Sequence, residues 1–154
     1  MNSVTYAHRK ATVELKGSLR ELSNQLSLLN RRVGSRLEMK DVDLDCLDVI
    51  NRLGPLGPKA LAREAGLHPA TLTGILDRLE KGGWVAREAD PADRRATLVR
   101  GLRERNAELL GLFAGMNASL DGICADYSAA ELDLITDFLA RATAAGRGAT
   151  EELT

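Results

Sequence analysis

The sequence predicts a mainly α-helical fold with one small β-hairpin. Aromatic residues make up only 3% of the 154 residues, so the core has to be built from aliphatic side chains. Leucines recur at spacings of four and three near both ends of the chain, which is the period of an amphipathic helix. The stretch 84–100 differs, because two short strand-like runs flank a turn at 90–93 that reads Asp-Pro-Ala-Asp.

A first long helix is predicted from about Val4 to Arg36. Its apolar residues have the spacing of a heptad repeat, and they are Leu15, Leu19, Leu22, Leu26, Leu29 and Val33. This seam is longer than a helix needs to bury one face in a small chain. The spacing favours a second copy of the chain as the partner, whereas the alternative is that such seams pack on one another within one chain.

Three shorter helices are predicted over about 43–53, 58–65 and 69–82. Gly66 is suited to end the second of them, and Pro69 is suited to the first turn of the third. The inward face of the third helix is predicted to consist of Leu72, Ile75, Leu76 and Leu79. A short helix, a tight turn with glycine and a second helix are the parts of a helix-turn-helix.

Two more helices are predicted towards the end of the sequence. One spans about 102–127 with the same apolar spacing, and the other opens with a capping box at Ser128 and Glu131 and ends near Ala142. The small and polar residues at 143–154 are expected to be a frayed tail. The predicted domains are therefore an N-terminal dimerisation helix at 1–36, a winged helix-turn-helix region at 41–101, C-terminal dimerisation helices at 102–142 and the tail at 143–154.

Basic residues are concentrated in the middle of the chain, although the formal net charge is only −1. Between Lys59 and Arg105 the charges sum to +3, whereas the rest of the chain carries −4. A local basic excess around a helix and a hairpin favours a nucleic acid as the partner. The candidate phosphate contacts are Lys59, Arg63, Arg78, Lys81, Arg87 and Arg100.

Arg94 and Arg95, at the exit of the predicted turn, are the strongest candidates for a functional site. Arginine at a hairpin tip can enter the narrow minor groove of DNA, where the negative potential is concentrated. Asp93 is expected to form an ion pair with one of them and to fix its direction. The alternative is a solvated charged turn. Trp84 is expected to pack at the base of the hairpin.

The outward face of the helix at 69–82 is predicted to approach DNA. Its candidate contacts are His68, Ala70, Thr71, Thr73, Gly74, Arg78 and Lys81. Small side chains dominate this face, so DNA shape and the wings are expected to supply much of the specificity. Gly74 either allows a close approach to DNA or is merely tolerated. For Arg78, the alternative to a DNA contact is a structural ion pair. Asp77 is expected to organise a nearby arginine. His68 is a poorer N-cap than Ser or Thr.

These residues resemble the MarR family of bacterial winged helix-turn-helix regulators. The resemblance rests on the helix at 69–83, PATLTGILDRLEKGG, and on the wing at 90–95, DPADRR, and the order of the helices extends it over most of the chain. It implies a homodimeric transcriptional regulator on double-stranded DNA, with a recognition helix in the major groove and a wing arginine in the minor groove. It also implies a repressor that is relieved by a small-molecule effector or by thiol oxidation, and the two-fold symmetry of a dimer suits a palindromic operator.

Other functional classes have less support in the sequence. The motifs G-x-S-x-G, H-E-x-x-H and Walker A are absent, so no enzyme, cofactor or metal site is expected. No apolar run approaches 18 residues and no signal pattern opens the chain, which predicts a cytoplasmic protein without a membrane partner.

Two alternatives stay open. One is a winged-helix module used only for protein–protein contacts, and the other is a redox-sensing regulator that acts through Cys46. Because acidic neighbours raise the pKa of a thiol, a buried structural cysteine is expected at position 46 rather than a sensor. The same is expected of Cys124.

Overall fold

The computed structural model describes residues 3–154, and it confirms the mainly helical fold with one antiparallel hairpin. The helices are α1 (Ser3–Arg36), α2 (Asp41–Leu53), α3 (Pro58–Ala65), α4 (Pro69–Lys81), α5 (Arg103–Cys124) and α6 (Ala129–Glu152), and the strands are β1 (Val85–Ala89) and β2 (Thr97–Gly101). The chain divides into two compact units, one ending at Leu109 and the other spanning Leu110–Thr154.

Local sequence accounts for where α3 and α4 begin and end. Each helix has a proline in its first turn, Pro58 and Pro69, where the missing N–H costs nothing. Gly66 ends α3 with a φ of 65°, a left-handed conformation that other residues rarely adopt. His68 caps α4, because its Nδ1 accepts a hydrogen bond from the N–H of Ala70 at 3.1 Å. From the sequence, His68 was expected to be a poorer cap than Ser or Thr, yet it makes the capping hydrogen bond.

The core of the first unit lies between α2, α3, α4 and the hairpin. Its buried side chains are Leu44, Leu47, Ile50, Leu61, Leu72, Ile75, Leu76, Leu79, Trp84, Val85 and Val99. Burying one such aliphatic side chain stabilises the fold by roughly 1.5–3 kcal/mol, so this cluster fixes α4 against its neighbours. Trp84 packs at the base of the hairpin as predicted, and the guanidinium of Arg105 lies 4.5 Å from the centre of its ring.

The hairpin is attached to the loop before α3. Val85 pairs with Gly101 and Ala89 with Thr97 in the antiparallel register. Leu56 adds two backbone hydrogen bonds to β2, donating to the carbonyl of Val99 at 3.1 Å and accepting from its N–H at 2.8 Å. Since an isolated two-stranded hairpin is marginally stable, these bonds help to hold the wing in place.

A pair of asparagines, the exposed Asn51 and the buried Asn106, connects α2 with the start of α5. Asn106 donates from Nδ2 to the carbonyls of Trp84 and Leu102 at 3.0 and 2.8 Å, and its Oδ1 accepts from Asn51 Nδ2 at 2.9 Å. Gly101 lies directly against this pair, because a Cβ at that position would contact Asn51 Oδ1. The hydrogen-bonding groups at this contact are thus satisfied inside one chain.

The long helices leave much of their apolar surface exposed. In α1, Leu15, Leu22 and Leu26 are exposed, although Val33 near its end is buried. None of the residues of α6 is buried, and its Ile135 and Leu139 are 40% and 44% exposed. Apolar side chains thus remain exposed on both helices, each within its own unit.

The last helix extends further than the sequence predicts. The capping box at Ser128 and Glu131 is present as expected. However, α6 continues to Glu152, so the frayed tail expected at 143–154 is helical instead. Alanine favours helix, each glycine costs only about 1 kcal/mol relative to alanine, and the hydroxyls of Thr143 and Thr150 donate to carbonyls four residues earlier at 2.8 and 2.9 Å.

Candidate nucleic-acid interface

Two aspartates hold the turn at the tip of the wing. Asp90 Oδ1 accepts from the N–H of Ala92 at 2.9 Å, and Asp93 Oδ1 accepts from the N–H of Arg95 at 3.0 Å. Within residues 3–154, Asp93 makes no ion pair with the side chain of Arg94 or Arg95, which corrects the expectation from the sequence. Aspartate in a turn bonds the backbone two residues ahead, so Asp93 fixes the main chain that carries the arginines rather than a guanidinium.

Both arginines at the tip are exposed. Neither the guanidinium of Arg94 nor that of Arg95 has a side-chain partner in the part of the chain that the structure describes. Neither guanidinium therefore forms an ion pair, although Asp90 and Asp93 of the same turn carry two opposite charges. A pair of such cations on a turn with a fixed backbone is suited to a phosphate-lined groove.

The predicted contacts of the helix-turn-helix share the outward surface of α4 and its cap. The exposed members are His68, Ala70, Thr71, Thr73, Arg78 and Lys81, and Gly74 is half-buried. Because Nδ1 of His68 accepts the cap bond, the neutral ring carries its hydrogen on Nε2, which makes Nε2 a donor.

Arg78 forms the ion pair that was the alternative to a phosphate contact. Asp43 in α2 is only 3% exposed, and it accepts from Nε of Arg78 at 2.8 Å and from Nη2 at 2.7 Å. These side-chain hydrogen bonds raise the pKa of Arg78, which stays charged. Asp43 was not predicted as part of the site, although it has the helical spacing of the buried residues Leu47 and Ile50.

Arg87 in β1 reaches over the acidic side of α4. Its Nη2 donates to Asp77 Oδ1 at 2.6 Å and to Glu80 Oε1 at 3.1 Å, and its backbone N–H donates to Glu80 Oε2 at 3.2 Å. The prediction that Asp77 organises a nearby arginine is confirmed. Arg87 lowers the pKa of Glu80 through these bonds. Its own charge is thereby balanced inside the protein, which reduces its value as a phosphate contact.

The candidate phosphate contacts fall into two groups. Arg78 and Arg87 are paired as above, and Arg100 pairs with Glu88 at 3.2 Å. Lys59, Arg63 and Lys81 form no ion pair within residues 3–154. The cations around the helix-turn-helix that form no ion pair are thus these three together with the arginines at the wing tip.

The two cysteines differ. Cys46 is fully buried, and burial, followed by Asp43 and Asp45, raises its pKa from 9.0 to about 11. The expectation of a buried structural cysteine is therefore confirmed there, because the thiolate needed for redox chemistry is scarce at neutral pH. For Cys124 the same expectation is wrong, since this residue at the end of α5 is exposed.

A cleft of about 550 Å³ lies beside the end of α1. Its lining consists of Arg32, Ser35, Arg36, Leu37, Glu38, Arg105 and Glu108. No residues of this cleft were predicted from the sequence, because the residues that line the cleft come from segments far apart along the chain.

Two further properties bear on the kind of site. Across residues 3–154, no helix has both the length and the apolar character required to cross a membrane. Over the same range, no three His, Cys, Asp or Glu side chains are grouped so that they could hold a metal ion.

The helix-turn-helix, the attached wing and the basic tip are those of a winged helix-turn-helix DNA-binding protein. The family model of the MarR family matches residues 40–97. Over 133 residues the chain is 33% identical to an uncharacterised HTH-type transcriptional regulator of Bacillus subtilis strain 168, YcgE. The matched residues are 86% of this chain and 84% of that protein. The chain belongs to the MarR family of transcriptional regulators.

Two other comparisons agree. The HTH-type transcriptional repressor YetL of Bacillus subtilis strain 168 is 30% identical over 84 residues, which are 54% of this chain and 50% of that protein. The crystal structure of the transcriptional regulator Tm0710 from Thermotoga maritima matches with a TM-score of 0.62 and 26% identity, covering 86% of this chain and 93% of that one.

Proposed function

We propose that this regulator acts as a homodimer on a palindromic operator, with α4 in the major groove and a wing arginine in the minor groove. The observation that carries the proposal is the wing tip. Arg94 and Arg95 are exposed and without side-chain partners, on a turn whose backbone is fixed by Asp90 and Asp93. A fixed turn reduces the ordering cost of binding, and arginine suits the narrow minor groove.

The charges around α4 support an approach to DNA. Asp77 and Glu80 would repel phosphates, but Arg87 pairs with both. Lys81 follows on the same helix with an uncompensated charge. Arg87 thereby offsets one of the two negative charges on the acidic side of α4, and the lysine remains available to position the helix on the DNA backbone.

The uncovered apolar faces support the homodimer. Exposed apolar residues at heptad spacing in α1, and the exposed Ile135 and Leu139 in α6, are of the kind that protein interfaces bury. A second copy of the chain carries the same faces, so it offers a matching partner. A two-fold pair of wings and recognition helices then fits two symmetric half-sites.

The regulator is further proposed to be a cytoplasmic repressor that a small molecule releases from DNA. The relative YetL is described as a repressor. The cleft beside α1 is the candidate effector site, and its three arginines outnumber its two glutamates, which favours an acidic molecule. A small acid that binds there is expected to raise the thermal unfolding temperature and to weaken the affinity for DNA.

Selection of genomic DNA fragments by the purified full-length protein tests the proposal. The wild type is expected to enrich specific fragments, and the Arg94→Ala/Arg95→Ala variant to bind them at least about 10-fold more weakly while remaining folded. The matched control is Arg9→Ala/Arg20→Ala, which removes the same charge from α1 and should bind like the wild type. Enrichment of no fragment, or equal binding by the tip variant and the control, would contradict the proposal and favour a module for protein–protein contacts.

A further inference from the structure

Arg78 is a cation of α4 whose direction is set by a buried group. Asp43 holds its Nε and Nη2 at 2.8 and 2.7 Å. Two parallel hydrogen bonds to one edge of a planar guanidinium fix both its plane and its direction. The side chain of Arg78 is nevertheless 43% exposed, so the opposite edge remains open to solvent.

Gly74 lies beside the open edge of Arg78. It lies one helical turn before the arginine, and a Cβ at this glycine would stand 3.5 Å from Nη1 of Arg78. Nη1 therefore lies close to the helix surface at residue 74. A Cβ at this distance would make an ordinary van der Waals contact, so the guanidinium group lies against the helix at residue 74 without requiring a glycine there.

We propose that Arg78 recognises a guanine in the major groove and that Asp43 is its positioning residue. This inference rests on the proposed function and deepens it. With Nε and one N–H of Nη2 engaged by Asp43, Nη1 and the second N–H of Nη2 form another fork of donors. Such a fork matches the O6 and N7 acceptors that guanine presents in the major groove.

The charge balance favours a base over a phosphate. Asp43 and Arg78 together carry no net charge, so the pair gains little from the counterion release that drives phosphate binding. A neutral base edge needs aligned donors more than it needs charge. The α4 surface therefore contains one directed base contact in addition to the small side chains that the sequence predicted to leave specificity to DNA shape.

Selection from a randomised DNA duplex, with the full-length protein, tests this inference. The wild type is expected to require a G·C pair at one symmetric position of each half-site. The Asp43→Asn/Arg78→Gln variant keeps the net charge and the approximate volume of the pair, and should lose that guanine preference. Its affinity for the wild-type site should fall by about 5- to 150-fold per half-site.

A second variant tests the positioning role of Asp43. Asp43→Asn keeps Arg78 but removes the carboxylate, so the preference for guanine over other bases should weaken while the affinity for DNA of unrelated sequence is retained. Circular dichroism and thermal unfolding establish that each variant is folded. The salt dependence of binding should be unchanged in Asp43→Asn/Arg78→Gln, whereas Lys81→Ala should lower its slope by about 0.9 per lost phosphate contact.

The outcomes separate the two levels of the proposal. A wild type that selects no sequence contradicts the proposed function, and this inference falls with it. The wild type could instead select a clear site while the folded Asp43→Asn/Arg78→Gln variant keeps every base preference of the wild type. That result would contradict the guanine contact alone. A uniform loss of affinity for all sequences would assign Arg78 to a phosphate and would also overturn it.

Discussion

The winged-helix region satisfies its buried groups within one chain, whereas the long helices leave apolar faces uncovered. Among the described residues, no buried side-chain nitrogen or oxygen lacks a hydrogen-bond partner, and Asp43 and Asn106 find theirs around the core. In α6, by contrast, nothing is buried and Ile135 and Leu139 remain exposed. The helix-turn-helix thus meets its hydrogen-bonding needs from its own chain, whereas the long helices carry the apolar faces that the proposed dimer would bury.

The largest effect is expected from charges placed on the uncovered face of α6. Ile135→Glu/Leu139→Glu should raise the dissociation constant of the dimer at least about 100-fold, because each buried aliphatic side chain contributes roughly 1.5–3 kcal/mol. Sedimentation equilibrium measures the change.

Ala144→Glu is the control for this substitution, since it lies on the opposite side of the same helix and should leave the dimer intact. If Ile135→Glu/Leu139→Glu sediments like the control, the exposed face of α6 does not hold the dimer together.

The next effect concerns the Asn51–Asn106 pair in the winged-helix region, of which Asn106 is buried. Asn106→Ala leaves the carbonyl of Trp84 and the amide of Asn51 without this partner, and should lower the free energy of unfolding by about 2–3 kcal/mol. Urea unfolding measures it. The control is Asn117→Ala, at an exposed position of the same helix, which should change the free energy of unfolding by less than about 0.5 kcal/mol. Equal effects of the two substitutions would show that the pair does not stabilise this region.

Cys46 should make stability fall at alkaline pH. Burial raises the pKa of its thiol in the folded state from 9.0 to about 11, so the unfolded chain ionises first and the folded state loses stability as the pH rises through this interval. Relative to Cys46→Ala, the free energy of unfolding should decrease by about 1–2 kcal/mol between pH 9 and 11. Both proteins should carry Cys124→Ser, and parallel pH profiles would contradict the prediction.

The smallest effect is expected at the N-cap of α4. His68→Ala should lower the free energy of unfolding by about 1 kcal/mol, because the N–H of Ala70 loses its acceptor. His68→Asn supplies another good capping group and should retain most of that stability. Thermal unfolding compares the two, and equal destabilisation by both would mean that the histidine does not act as a cap.

Local patterns were sufficient to predict the elements of the fold. Pro58, Gly66 and Pro69 act on the backbone beside them, and the leucine spacing sets which face of each helix is apolar. The turn chemistry at 90–93 predicted the wing for the same reason. The end of α6 was harder to predict, because small residues at 143–154 are compatible with either helix or coil.

The side-chain partners of the site could not be predicted in the same way. Asp43 and Arg78 lie on different helices, and only the packing of α2 against α4 brings them to 2.7 Å. Asp77 was predicted to organise an arginine, but the sequence could not identify Arg87, which reaches it from the neighbouring strand. Asp93 was predicted to form an ion pair with an arginine side chain. In the tight turn its carboxylate instead accepts a hydrogen bond from the backbone N–H of Arg95.

Contact between the wing tip and DNA is tested most directly by the salt dependence of the affinity for a selected operator. For a dimer, the slope of log K against log salt should be shallower in Arg94→Ala/Arg95→Ala than in the wild type. The difference should be about 2 if one arginine of each protomer binds DNA, and about 4 if both do. An unchanged slope together with an unchanged affinity would contradict the assignment of the tip to DNA.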